Sequence, residues 1–129
     1  MKKDTALKPT ESELEILQVL WQQGPCTVRF VNDNLNGKKK VGYTTTLKLM
    51  QLMFEKKILK RNEKNRSHLY RAAVKENEIQ GLLLDRFLET TFGGSAMKLV
   101  MQALGNRKTS KEELSRIREF LDNLEGEKQ

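Results

Sequence analysis

The sequence predicts a mainly α-helical chain with one small β-hairpin, divided into two halves of different character. Three observations carry this. Apolar residues recur at spacings of three and four along most of the chain, the mark of amphipathic helices. Two short segments flank the polar tip "EKNR", as strands flank a hairpin turn. The charge changes abruptly: residues 1–73 hold fifteen Lys or Arg and seven Asp or Glu, a balance of +8, whereas residues 74–129 hold nine and ten, a balance of −1. The first half therefore carries the whole excess, and the expected domains are 1–73 and 74–129. A chain of 129 residues supports one compact domain or two very small ones, but not two full-sized cores.

"PTESELEILQVLWQQG" predicts the first helix. Thr10 and Glu13 match a capping box, in which the hydroxyl and the carboxylate each satisfy an amide left open at the helix start. Glu11, Glu13 and Glu15 suit the positive end of the helix dipole. Leu14, Leu17, Leu20 and Trp21 form the expected buried stripe, and Gly24-Pro25 ends the helix. Thr27 caps a shorter helix, "VRFVNDNLN", with Val28, Val31 and Leu35 inward. "NGKKKVG" is a turn, and "VGYTTTLKLMQLMFEKK" is a third helix despite three β-branched threonines in its first turn. "ILKRNEKNRSHLYRAAV" is the hairpin, with Leu59, Leu69 and Tyr70 supplying its apolar positions.

The second half is helical throughout. Ile79, Leu83, Phe87 and Leu88 line one side of "KENEIQGLLLDRFLETTF", which Gly93-Gly94 breaks. "SAMKLVMQAL" is short and apolar, closed by Gly105. Ser110 and Glu113 suggest a second capping box, opening a helix in which Leu114, Ile117, Leu121 and Leu124 step as a helix seam. Three helices followed by a hairpin is the order of a winged helix-turn-helix, with the hairpin as the wing. The fold class is thus a winged helix-turn-helix domain followed by a helical domain.

The third helix divides cleanly on a wheel at ~100° per residue. Thr46, Leu49, Met50 and Met53 cluster on the core side, with Phe54 beside them. Thr44, Lys48, Gln51 and Glu55 share the opposite side, flanked by Leu47 and Leu52. Two leucines have no use on a merely solvated face, but a major groove has uses for all of these groups. Lysine donates to guanine or phosphate, glutamine pairs with adenine, and Thr or Leu methyls meet thymine methyls. From Lys38 to Arg71 the chain carries eleven basic residues against Glu55 and Glu63 alone. Lys38, Lys39 and Lys40 enter the helix, Lys56 and Lys57 leave it, and Lys60, Arg61, Lys64, Arg66 and Arg71 follow along the hairpin. Such charge holds a protein on a duplex without reading sequence. A basic protein-interaction module, with Leu47 and Leu52 packed on a neighbour, is the competing reading.

Other classes find little support. Cys26 and His68 are the only residues of their types, so the chain has no internal disulfide, no His–Cys metal cluster and no visible nucleophile–base pair. Cys26 precedes a helix N-terminus, which would lower its pKa, but a small packed thiol is the simpler role. "GNRKTS" lacks the glycine spacing of a phosphate loop. No enzyme activity, cofactor, metal or small-molecule substrate is expected. No apolar run approaches the ~18 residues that span a bilayer, and "MKKDTALKPT" is not a secretory signal, so the expected location is the cytoplasm.

"TESELEILQVLW", "GYTTTLKLMQLMFEKKIL", "KNRSHLYR" and the glycine-interrupted helical tail together resemble the penicillinase-repressor family of bacterial transcription regulators (BlaI/MecI/CopY), from about Leu7 to Leu124. The resemblance implies a homodimer that represses by occupying a palindromic operator in double-stranded DNA. Carried over by position, it implies base reading by Tyr43, Thr44, Leu47, Lys48 and Gln51, with Arg66 at the wing. Backbone contacts are expected from Lys38, Lys39, Lys40, Lys64 and Arg66. In better-known members a membrane sensor protease detects β-lactam and triggers cleavage of an Asn-Phe bond in the dimerisation domain. The corresponding stretch here, "LVMQALG", carries Gln102-Ala103. The copper-responsive branch has a C-terminal cysteine cluster, which this chain lacks.

The second half holds more apolar surface than a short helical hairpin buries alone, so a second copy is the natural cover. The expected interface includes Leu83, Phe87, Met97, Val100, Met101, Leu114, Ile117 and Leu121. The alternatives are packing of some of these on the first domain, or a helical adaptor that binds a partner protein while its basic charge is incidental.

Overall fold

A computed structural model describes residues 8–64 and 67–127. Its elements in order are α1 (Glu11–Gln23), α2 (Val28–Leu35), α3 (Tyr43–Glu55), β1 (Leu59–Asn62), β2 (Leu69–Ala72), α4 (Glu76–Phe92), α5 (Ala96–Gly105) and α6 (Lys111–Glu127). The chain groups into two compact units that divide between Leu84 and Asp85.

The first two helices start where their local chemistry directs. Thr10 and Glu13 form the full reciprocal capping box of α1, and Thr27 Oγ1 accepts from the Phe30 amide at 3.1 Å to cap α2. Gly24 ends α1 at φ +80°, a conformation open to glycine at little cost. The end of α3 is less usual. The Lys57 amide donates to the Phe54 carbonyl and the Ile58 amide to the Met53 carbonyl, the paired bonds of a Schellman motif. Lys57 itself takes the left-handed position at φ 69°, where glycine is commoner.

The core draws on α1, α2, α3 and both strands. Ile16, Leu17 and Leu20 of α1 meet Val31 of α2, Met50 and Met53 of α3, Leu59 of β1 and Tyr70 of β2. Leu14 and Trp21 are half-buried at its margin, so Ile16 displaces them from the centre of the expected stripe. The strands pair antiparallel with Leu59 opposite Ala72 and Asn62 opposite Leu69. Cys26 adds a bridge to this sheet: its amide donates to the Tyr70 carbonyl at 2.9 Å and its carbonyl accepts from the Tyr70 amide at 2.8 Å. Its thiol is buried and lies against the Gly24 carbonyl, and burial pushes the thiol pKa up rather than down. Cys26 is therefore a packed residue.

Contacts of the first unit run past the expected boundary at 73/74. Trp21 Nε1 donates to the Val74 carbonyl at 3.0 Å, and Ile79 in the second turn of α4 is buried. In the second unit, α4 ends at Gly93 and Gly94, both at positive φ. A Cβ on Gly94 would also sit 3.2 Å from a Glu89 carboxylate oxygen. Ser95 caps α5 and Ser110 Oγ accepts from the Glu113 amide to cap α6. No residue of α5 or α6 is buried.

Candidate nucleic-acid interface

The start of α3 is fixed by two asparagines that sequence patterning did not single out. Asn32 Nδ2, buried on α2, donates to Thr46 Oγ1 at 2.8 Å and to the Val41 carbonyl at 3.0 Å. Asn36 Nδ2 donates to the same carbonyl at 2.9 Å, while Asn36 Oδ1 accepts from the Val41 amide at 3.1 Å. The turn between the helices is thereby tied to both. The three threonines divide their roles. Thr46 is the buried partner of Asn32, whereas Thr44 and Thr45 are exposed. Gly42 caps α3 without a side-chain bond, leaving the first-turn amides free of a side-chain acceptor.

The outer face of α3 holds Thr44, Lys48, Gln51 and Glu55, all exposed, with Leu52 at 51% exposure. Tyr43 stands at the first position, and the Arg29 guanidinium of α2 lies 4.9 Å from its ring centroid, a cation–π distance. Arg29 was not among the expected residues, because only the folded turn brings α2 against Tyr43. Leu47 departs from the expectation of a residue free on the outer face. It is half-buried and packs against the core, so it presents only one edge outward.

The basic residues fall into two groups. Lys38, Lys39, Lys40, Lys48, Lys57, Lys60, Lys64 and Arg71 are exposed. Lys39 also pairs with Glu15 at 3.7 Å, a solvent-exposed contact. Two others are engaged within the fold, although Lys56 keeps 53% of its side chain exposed. Lys56 Nζ reaches Glu13 Oε2 at 2.9 Å. Burial disfavours the Glu13 charge, but the bonds from Lys56 and from the Thr10 amide outweigh it and hold the carboxyl below its usual range. Arg61 bonds to the Glu63 carboxylate and to Tyr70 Oη, and its guanidinium lies 4.0 Å from the Phe54 ring centroid. The Glu63 bond, with that from Tyr70, raises the Arg61 pKa, and the same pairing lowers that of Glu63. Both cations stitch α3 and β1 to their neighbours, a use their charge alone does not reveal. Arg66 lies outside the described residues.

In the second unit, Phe87, Met97, Val100, Met101 and Leu121 of the expected interface are exposed. Leu114 and Ile117 are half-buried, as is Leu83 in the part of α4 that belongs to the first unit. Phe120, at 60% exposure, joins the exposed set although its position lies beside the seam read from sequence. Gln102 and Ala103 are exposed residues within α5. Among the described residues, no three His, Cys, Asp or Glu side chains gather as a metal site would need.

A family model described as Penicillinase repressor matches residues 9–123. The chain belongs to the penicillinase repressor family. The sequence resemblance is thus borne out across nearly its whole expected extent. A solved structure of a MarR family protein from Bacillus stearothermophilus matches this repressor with a TM-score of 0.54 and 17% identity, over 98% of this chain and 82% of that chain. At that identity the likeness speaks for the fold, and it bears out the winged helix-turn-helix arrangement. No curated protein matches the chain at a significant level. The family is one of DNA-binding transcriptional repressors, which are generally not enzymes. No helix among the described residues is long and apolar enough to cross a membrane.

Proposed function

We propose that two copies of this repressor bind a palindromic operator, each laying the outer face of α3 into a major groove. Thr44, Lys48 and Gln51 read base edges, with Tyr43 and the exposed edge of Leu47 in apolar contact. Lys38, Lys39, Lys40 and Lys64 hold the phosphate backbone, and Arg66, outside the described residues, is assigned to the same role from the sequence. The observation that carries this reading is the exposed Thr44–Lys48–Gln51 face on a helix whose start is pinned by Asn32 and Asn36. A pinned helix meets the groove without first ordering itself, which lowers the cost of binding.

Residues 1–73 act as the DNA-binding domain and 74–129 as the dimerisation domain in this proposal. Met97 and Met101, at 71% and 65% exposure, and the exposed Phe87, Val100 and Leu121 are apolar groups that an isolated chain leaves in water. A second copy removes them from it, together with Leu83, Leu114 and Ile117. Two-fold symmetry then spaces the half-sites by one or more helical turns of ~34–36 Å each. Opening the dimer forfeits the second half-site and with it most of the affinity. A membrane sensor protease that cut Gln102–Ala103 would do so by splitting α5. A bond inside a helix must unwind before it is cut, so this switch also requires local opening of α5.

Fluorescence anisotropy of the full chain against genomic duplexes at two salt concentrations tests the reading. Preferred duplexes with two-fold symmetry, and affinity that falls with a log–log slope of about −0.9 per phosphate contact, are expected. Equal binding to all duplexes, or none, would favour the adaptor.

A further inference from the structure

A groove of about 340 Å³ opens in the first unit between α1, the end of α2 and the start of α3. Its size lies at the small end of the ~300–1,000 Å³ usual for small-molecule sites. One wall is apolar, built from Ile16, Val19, Leu35 and Leu49. The rim carries Lys38, Lys39 and Lys40, and Glu15 is the single carboxylate in the lining. The Asn36–Val41 bonds that fix the turn also fix this rim, so the groove is formed before anything enters it.

Its chemistry selects an occupant. DNA phosphate would satisfy the lysines but has no use for a wall of Val19, Leu35 and Leu49. A neutral apolar molecule would satisfy the wall and leave Lys38 and Lys40 unanswered. The Lys39–Glu15 pair at 3.7 Å is solvent-exposed, so an incoming anion displaces that carboxylate at little cost. We propose that the groove binds a small amphipathic anion, an apolar body bearing one carboxylate or phosphate. Its head group draws on Lys38, Lys39 and Lys40, and its body covers the apolar wall. Because those lysines are also the proposed phosphate contacts, occupation weakens DNA binding, and DNA weakens occupation by the same factor. The binding step stands independently of the operator reading; the coupling rests on it.

Amide-resolved NMR titration of the full chain without DNA reads the groove alone. With 2-naphthoate, saturable shifts are expected at Val19, Leu35, Val41 and Leu49. Filling the groove with Val19→Phe or, separately, Gln22→Trp should weaken binding about tenfold or more, since added bulk in a formed cavity displaces its occupant. The alcohol 2-naphthalenemethanol should bind more weakly than the acid, and comparison with 2-naphthyl phosphate assigns the preferred head group. Shifts confined to α5 and α6, equal binding of acid and alcohol, or no saturation would overturn the site. In a second arm, saturating 2-naphthoate should raise the apparent Kd for duplex DNA by about fivefold or more, the lower range of allosteric coupling, and by less in Val19→Phe. An unchanged Kd alongside confirmed binding would overturn the coupling. Failure of the chain to prefer any duplex, with the NMR result intact, would indict the operator reading instead.

Discussion

Asn32 Nδ2 donates to Thr46 Oγ1 at 2.8 Å with both side chains shut off from water. This bond joins the two helices of the turn motif at the point where α3 begins. Thr46→Val keeps the shape and deletes the acceptor, leaving a buried donor half-satisfied. The expected loss is about 1–3 kcal/mol in urea unfolding, with Thr46→Ser losing less because it keeps the hydroxyl. A loss in Thr46→Ser with none in Thr46→Val would show that the methyl group, not the hydrogen bond, matters here.

Lys48 and Gln51 face outward from the middle of α3. Replacing either by Ala should weaken binding to the preferred duplex by ~1–3 kcal/mol while changing binding to unrelated duplexes less. Lys64→Ala should instead weaken all duplexes alike and reduce the salt slope by about one. A uniform effect from all three changes would mean that the outward face of α3 does not read bases.

Glu13 links the α1 cap to Lys56 at the end of α3. Its carboxyl is held below the usual value of 4.5 when folded, so its contribution to stability is complete above about pH 4.5. The contribution fades as pH falls through the folded value, where the native state must also take up the proton. Glu13→Gln mimics the protonated form. The stability difference between wild type and this variant should therefore be largest near neutrality and shrink below pH 4.5. A difference that stayed constant down to acid would remove the ion pair from the account.

Lys57 occupies a left-handed position that costs an L-residue roughly 1 kcal/mol. Lys57→Gly should raise the unfolding free energy by about 0.5–1 kcal/mol, because the Schellman bonds at the end of α3 suit glycine. Calorimetry showing a lower Tm for the variant would contradict this.

Met97 and Phe120 stand exposed on α5 and α6. Met97→Glu places a charge in the proposed dimer contact, and Phe120→Glu places one beside it, where burial without a partner is costly. Sedimentation should show a dimer for the wild-type chain and monomers for the variants at the same concentration, with loss of operator preference. Variants that remained dimers would move the contact elsewhere.

Periodicity was enough to place the helices and hairpin, because helix and strand repeats depend on neighbours within a few residues. The Thr10–Glu13 and Thr27 caps were legible for the same reason. Thr44, Lys48 and Gln51 could be assigned to the outward face from spacing alone, since Thr46, Met50 and Met53 claim the other side. Leu47 lay between the two faces, where a wheel cannot say which neighbour is near enough to cover it.

By itself the sequence determined the order of elements, the basic half, the family and the polar face of α3, all properties of local spacing and summed charge. Only the tertiary structure decided which charges are free. Lys56 and Arg61 carry the same formal charge as Lys48, yet Glu13, Glu63 and the Phe54 ring engage them. Those partners are set by how helices and strands pack across the core, and the Asn32–Thr46 bond and the groove beside α1 arise from that same packing. Whether a cation is available to DNA depends on distances between segments far apart in the chain, which residue spacing does not encode.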